Sequence, residues 1–246
     1  MATAIDEVLH DLAAEYTRLD GILSSLSEAQ WQSPSGAPGW TIRDVVVHLA
    51  SSETGVATTL ERASDAWTTR DRPLDAAVDD AVRADHHAPS IVFAAWRAAT
   101  RDSIGALRSA DPDRSYQWAA APLRPRTLAT TRLAEHWAHG LDIAGPLGIA
   151  FEDSDRLRHI AWLGHATIPY GLRLQGKDSV AVRCALTAPD GGIWTFGPDD
   201  AVATITGPAS AFCRVGAQRL TPAASGLVAT GPGAHDALAA LRNYAA

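Results

Sequence analysis

The sequence predicts an α plus α+β chain: a four-helix bundle over residues 1–150, followed by a smaller α+β domain over residues 151–246. Two observations carry that expectation. In the first half, apolar residues recur at steps of three and four, the period of a helix that buries one face. Residues 179–198, SVAVRCALTAPDGGIWTFGP, instead alternate apolar and polar around a Pro-Asp-Gly-Gly turn.

The elements follow in order. Residues 3–26 place Ile5, Val8, Leu9, Leu12, Tyr16, Leu19, Ile22 and Leu23 along one helical stripe. After the loop QSPSGAPG, the segment WTIRDVVVHLASSE offers Thr41 as N-cap and Asp44 three residues on. Ile42, Val45, Val46 and Leu49 then share one side of a second helix. A third helix is expected over about Pro89–Leu107, with proline tolerated in its first turn, and a fourth over about Thr127–Leu147. Bundles of this kind build sites from side chains on facing helices. Beyond Gly148, a helix at about 153–168 suits either part, so the domain boundary is expected within 148–175. The hairpin at 179–198 is followed by a strand in AVATITG, a helix from Pro208 through Phe212, Val215 and Leu220, and a last helix at about 234–244.

Composition narrows the partners. The chain carries 21 Lys+Arg against 28 Asp+Glu, a formal charge of −7, with no block of like charges, so a nucleic-acid partner is not expected. The N-terminus MATAIDEVLHDLAAEY is acidic where a signal peptide is basic, and no segment stays apolar long enough to span a bilayer. A cytoplasmic protein acting on a small molecule, without a membrane partner, is the expectation. Cys184 and Cys213 are too few for a disulfide framework or a cysteine zinc site and are read as reduced core residues.

The chemistry is concentrated in TRLAEHWAHG, residues 131–140, within the fourth helix, which reads as amphipathic. Positions four apart on a helix lie one above the other, so Glu135 and His139 point the same way and reach a single ion. An open metal site needs at least one more donor, and His48, at the border of the second helix's apolar stripe, supplies a candidate. Two histidines and a carboxylate with an open position suit zinc, and less selectively iron, nickel or manganese. Spacing alone leaves this open: Glu135 and His139 equally suit a solvated helical face, His48 a hydrogen-bonded core histidine, and His136 is a competing ligand three residues before His139. Asp142, three after His139, is a candidate acceptor for that imidazole. Trp40, Trp96 and Trp137 are candidates to line a pocket above the metal, although Trp137, two positions from each ligand, should point elsewhere.

GWTIRDVVVHLA and TRLAEHWAHGLDIAGPLG resemble the two signature segments of the mycothiol-dependent maleylpyruvate isomerase family, a branch of the DinB-like metal-binding bundles. LTAPDGGIWTFGP and ITGPASAFCRVGAQR resemble the sterol-carrier-like α+β domain that follows the bundle in that family. The resemblance implies zinc bound by His48, Glu135 and His139, with mycothiol or a similar low-molecular-weight thiol as cofactor. It further implies that the metal activates the thiol for addition to an electrophile, giving cis–trans isomerisation when the thiol leaves again and S-transfer when it stays. A dicarboxylate substrate calls for cationic donors. Arg219 is the residue selected for that role, because it lies with Arg214 in the segment where the family's second domain contributes an arginine, and Arg43 lies near His48. Two other readings remain beside the thiol-dependent enzyme: a thiol-independent cyclase, lyase or hydrolase on the same metal, and a non-catalytic carrier of a metal or small ligand. Fold alone does not separate them.

Overall fold

The computed structural model describes residues 4–62, 73–119 and 121–244; Thr3, where the sequence pattern starts the first helix, lies outside them. Backbone contacts divide the chain after Phe151 into two compact units.

In the first unit, α1 (Ala4–Ser24), α3 (Ile42–Arg62), α5 (Pro89–Ser109) and α6 (Pro125–Ala144) form the four-helix bundle, and the short α2 (Glu28–Trp31) links α1 to α3. α1 packs on α5 and α6, and α3 packs on the same two helices, so the four enclose one core. Leu9, Leu12, Leu19, Ile42, Leu49, Leu107, Leu128 and Leu133 are fully buried there, each stabilising the fold by roughly 2 kcal/mol relative to exposure. The helix starts are chemically specified. Ser27 and Gln30 form a capping box on α2. Thr41 Oγ1 accepts from the Asp44 amide at 3.2 Å while Asp44 accepts from the Thr41 amide at 2.9 Å, which fixes where α3 begins.

Two features of this unit depart from the sequence expectation. A further helix, α4 (Leu74–Ala84), packs on α3, and a two-stranded hairpin of β1 (Tyr116–Trp118) and β2 (Ala121–Leu123) precedes α6. The helix α6, expected to be amphipathic, is buried nearly all round, charged Arg132 and Asp142 included. Burial on nearly all sides leaves it no broad solvated face to make polar.

The second unit holds α7 (Leu157–Leu174), β3 (Val182–Thr187), β4 (Ile193–Phe196), β5 (Ala203–Pro208), α8 (Ala209–Gly216), a 3₁₀ turn at Pro222–Ala224, β6 (Val228–Thr230) and α9 (Ala234–Ala239). The sheet order is β4-β3-β5-β6, with the β3–β4 hairpin as expected and β3 parallel to β5. Val182, Cys184 and Leu186 of β3 are buried together with Ala203 and Ile205 of β5, giving the sheet one core face, and α7, α8 and α9 pack with it. Both C-terminal helices are shorter than the pattern suggested. α8 stops at Gly216, whose carbonyl accepts from the Asn243 amide at 2.8 Å. A Cβ at Gly216 would stand 2.4 Å from Asn243 Oδ1, so a larger residue there would displace the Asn243 side chain, and α9 ends at Ala239. Burial pushes the Cys184 thiol up to about 12 and raises Cys213 as well, so both are unreactive core residues. Among the described residues, no helix is long and apolar enough to cross a membrane.

Candidate metal centre

His48 lies in the second turn of α3, and Glu135 and His139 stand one turn apart on α6. The packing of α3 on α6 brings the three together: Glu135 Oε2 is 3.3 Å from His48 Nε2 and 3.6 Å from His139 Nε2. One ligand atom from each residue lies within 4.8 Å of the others. Ligands around a four-coordinate ion at about 2.0–2.1 Å stand roughly 3.3–3.4 Å apart; the Glu135–His48 spacing matches this and the Glu135–His139 spacing is about 0.2–0.3 Å longer. The donor set is two nitrogens and a carboxylate oxygen, close enough together to share one ion, and its chemistry fits zinc or a similar borderline dication.

The far side of His139 is also fixed. Its Nδ1 lies 2.9 Å from Asp142 Oδ2, and Asp142 is 3% exposed. With the Nδ1 proton donated to Asp142, the Nε2 lone pair is left for an ion. Asp142 is anchored in turn, because its carbonyl accepts from the Gly36 amide at 2.7 Å. His48 has no equivalent support: its Nδ1 is buried and makes no hydrogen bond among the described residues. Trp40 supplies a wall instead. The loop from Ser33 to Thr41 folds back on itself, Ser35 donating to the Trp40 carbonyl from its amide and its hydroxyl, each at 2.9 Å. The indole then sits 5.4 Å from the His48 ring and 6.3 Å, stacked, from the His139 ring, and its Nε1 donates to Asp79. Of the three tryptophans considered from sequence, Trp40 borders the cluster, while Trp96 and Trp137 are buried in the core.

The electrostatics favour an anionic carboxylate between two imidazoles. Burial opposes ionisation of Glu135, but hydrogen bonds from His139 and His48 and the charge of Arg132 outweigh it and hold the carboxyl well below the usual range. Burial pushes His48 down, against its bond to Glu135. For His139 burial acts in the same direction, yet Asp142 and Glu135 together lift it above its ordinary value.

His136, the competing ligand, is fully buried and points into the core rather than to the cluster, against Trp96 and Tyr16. Trp96 Nε1 donates to its Nε2 at 3.1 Å, and its Nδ1 donates to the Arg132 carbonyl at 3.0 Å, so neither nitrogen is left for a metal. Burial lowers it to about 4, which makes it a neutral core histidine. Beside it lies a charge pair that sequence reading missed: Arg132 Nε donates to Glu53 Oε1 at 2.7 Å with both side chains buried. The sequence signal was an arginine, Arg132, in the middle of a helix whose neighbouring positions 128, 129, 133 and 134 are all leucine or alanine.

The three arginines considered for substrate binding have distinct surroundings. Arg43 donates to the carbonyls of His87 and Asp85 and to the carboxylates of Asp44 and Asp85, tying the chain before α5 to the start of α3. Arg214 makes a two-pronged pair with Asp153 at 2.9 and 3.1 Å. Arg219, in the second unit, donates to the Ala217 carbonyl at 2.7 Å.

Comparison with known proteins places this geometry in context. Residues 12–144 match the family model described as the mycothiol maleylpyruvate isomerase N-terminal domain. Two uncharacterized proteins, from two strains of Mycobacterium tuberculosis, are each 33% identical over 222 residues, covering 85% of this chain and 84% of the relative. Crystal structures of the mycothiol-dependent maleylpyruvate isomerase, and of a histidine-to-alanine mutant of it, share the fold with a TM-score of 0.62 at 16% identity, covering 94% of this chain and 96% of theirs.

Proposed function

The chain belongs to the mycothiol maleylpyruvate isomerase family, and on that footing we propose that it is a metal-dependent enzyme using a low-molecular-weight thiol against a small electrophile. The observation that supports this most is the convergence of His48 Nε2, Glu135 Oε2 and His139 Nε2, with Asp142 holding the remaining nitrogen of His139. These three residues would hold the ion, zinc being the best match to the donor set, and leave a coordination position open. A dication bound there would stabilise thiolate over thiol at neutral pH.

The chain's own residues account for the rest of the site. Glu135 contributes one negative charge between the two imidazoles. Asp142 fixes the tautomer and orientation of His139. Trp40 shields the two histidines from bulk water on one side. Addition of a thiolate to one carbon of a conjugated double bond converts it to a single bond; rotation and loss of the same thiol then return the other geometric isomer with no net change in composition. Arg219 is the proposed cation for a carbonyl or carboxylate oxygen of the substrate, its planar fork suiting either. The test is turnover of maleylpyruvate and of simpler electrophilic alkenes by metal-loaded protein with and without mycothiol. Thiol-dependent turnover supports the proposal; turnover that needs metal but no thiol replaces it with a cyclase, lyase or hydrolase of the same fold.

A further inference from the structure

A cavity of about 500 Å³ lies between α3 and α4 and opens onto His48. Its walls come from two helical faces in register: Val47, Ser51, Thr54, Gly55 and Thr58 along α3, and Leu74, Ala77, Val78, Ala81 and Val82 along α4. The size suits a small organic molecule. Its chemistry is specific in what it omits. Apart from His48, no lining side chain among the described residues can carry a charge, and the only polar groups are three hydroxyls. One of these is already used, since Thr54 Oγ1 donates to the Ala50 carbonyl at 3.0 Å. The nearby cation Arg43 is spent on Asp44, Asp85 and two carbonyls, and Arg83 is paired with Asp79 at 2.7 Å.

A carboxylate placed against the α4 side of such a cavity, away from His48, would lose hydration without gaining a cationic side chain among the described residues. We propose that the α3–α4 cavity binds an uncharged, mainly apolar group beside the metal ligands, so that the substrate is an electrophile with a neutral aliphatic or aromatic portion rather than a small dicarboxylate. Ser51, one turn beyond His48, offers the hydroxyl to orient a carbonyl or ester oxygen of that group. The substrate assignment rests on the metal-enzyme reading, but the preference of the cavity does not.

The test separates the two. Binding of dibutyl succinate and of succinate, which share a carbon backbone and lack a reactive double bond, is measured by ligand-observed NMR on the protein as purified and again after removal of metal by a chelator. The expected result is at least tenfold tighter binding of the diester after metal removal, with diester binding retained when metal is present. Ala77→Phe combined with Ala81→Phe fills the α4 side of the cavity and should abolish diester binding with circular dichroism unchanged. Ser51→Arg, a substitution a helix accepts readily, should narrow or reverse the preference by giving succinate a cation. Equal or tighter binding of succinate by the metal-free parent, or diester binding unaffected by the filled cavity, would overturn the proposal. Failure of the protein to hold metal would leave this result standing.

Discussion

Replacing Asp142 by asparagine removes the charge behind His139 while keeping an oxygen in nearly the same place. In the parent, the Nδ1 to Oδ2 bond is 2.9 Å long and the carboxylate is 3% exposed, so it is a charge-assisted bond shielded from water. Bonds of this kind contribute about 1.5–3 kcal/mol, roughly twice their neutral counterparts. The asparagine variant therefore loses about half of that, or about three- to tenfold in metal affinity at 1.4 kcal/mol per decade, and Asp142→Ala approaches the hundredfold loss typical of removing a ligand's supporting partner. The Gly36 amide bonds the Asp142 backbone carbonyl, so both substitutions leave that anchor intact. Competition titration of zinc against a chromophoric chelator measures the change directly. Affinities of parent, asparagine and alanine variants within twofold of one another, with all three folded, would refute the role assigned to Asp142.

Two further outcomes concern the core beside the site. His136 is neutral when folded, lowered to about 4 by burial, so the folded state binds fewer protons than the unfolded state, in which the group titrates near its ordinary value of about 6.5. Its contribution is therefore full above about pH 6.5 and is lost as the pH falls towards 4; linkage gives a loss of about 2 kcal/mol by pH 5. Urea midpoints at pH 7 and pH 5 should show that loss in the parent and a smaller one in His136→Gln. Glu53→Gln leaves the buried Arg132 without its counter-ion and should cost about 3–5 kcal/mol in chemical denaturation, whereas Glu53→Leu combined with Arg132→Met should recover most of it.

How far the sequence reached depended on whether the cause was local. Thr41 and Asp44 mark the start of α3 because a capping box is a four-residue event, and the one-turn spacing of Glu135 and His139 is equally local. His48 lies 87 positions from Glu135, and linking it to α6 needed the resemblance as well as the pattern. The helix α4 was missed because its inward positions after Leu74 are only alanine and valine, set among three aspartates. That same modest apolar face makes the cavity next to His48. The β1–β2 hairpin escaped because each strand has three residues, too few for alternation to register. The parallel pairing of β3 with β5 and the Glu53–Arg132 pair are tertiary facts with no local signature. The amphipathic reading of α6 also failed, because its polar residues Arg132, His136 and Asp142 are each buried with a partner that lies on another element or about a turn away.

The central claim is that His48, Glu135 and His139 hold one metal ion. Elemental analysis of protein purified without chelator, for the parent and for His48→Ala, Glu135→Ala and His139→Ala, tests it most directly. The account predicts close to one zinc or similar ion per chain in the parent and its loss in each variant, with helical circular dichroism retained. A parent that carries no metal and takes up none from zinc, iron, nickel or manganese would contradict it, as would variants that keep the parent's full complement.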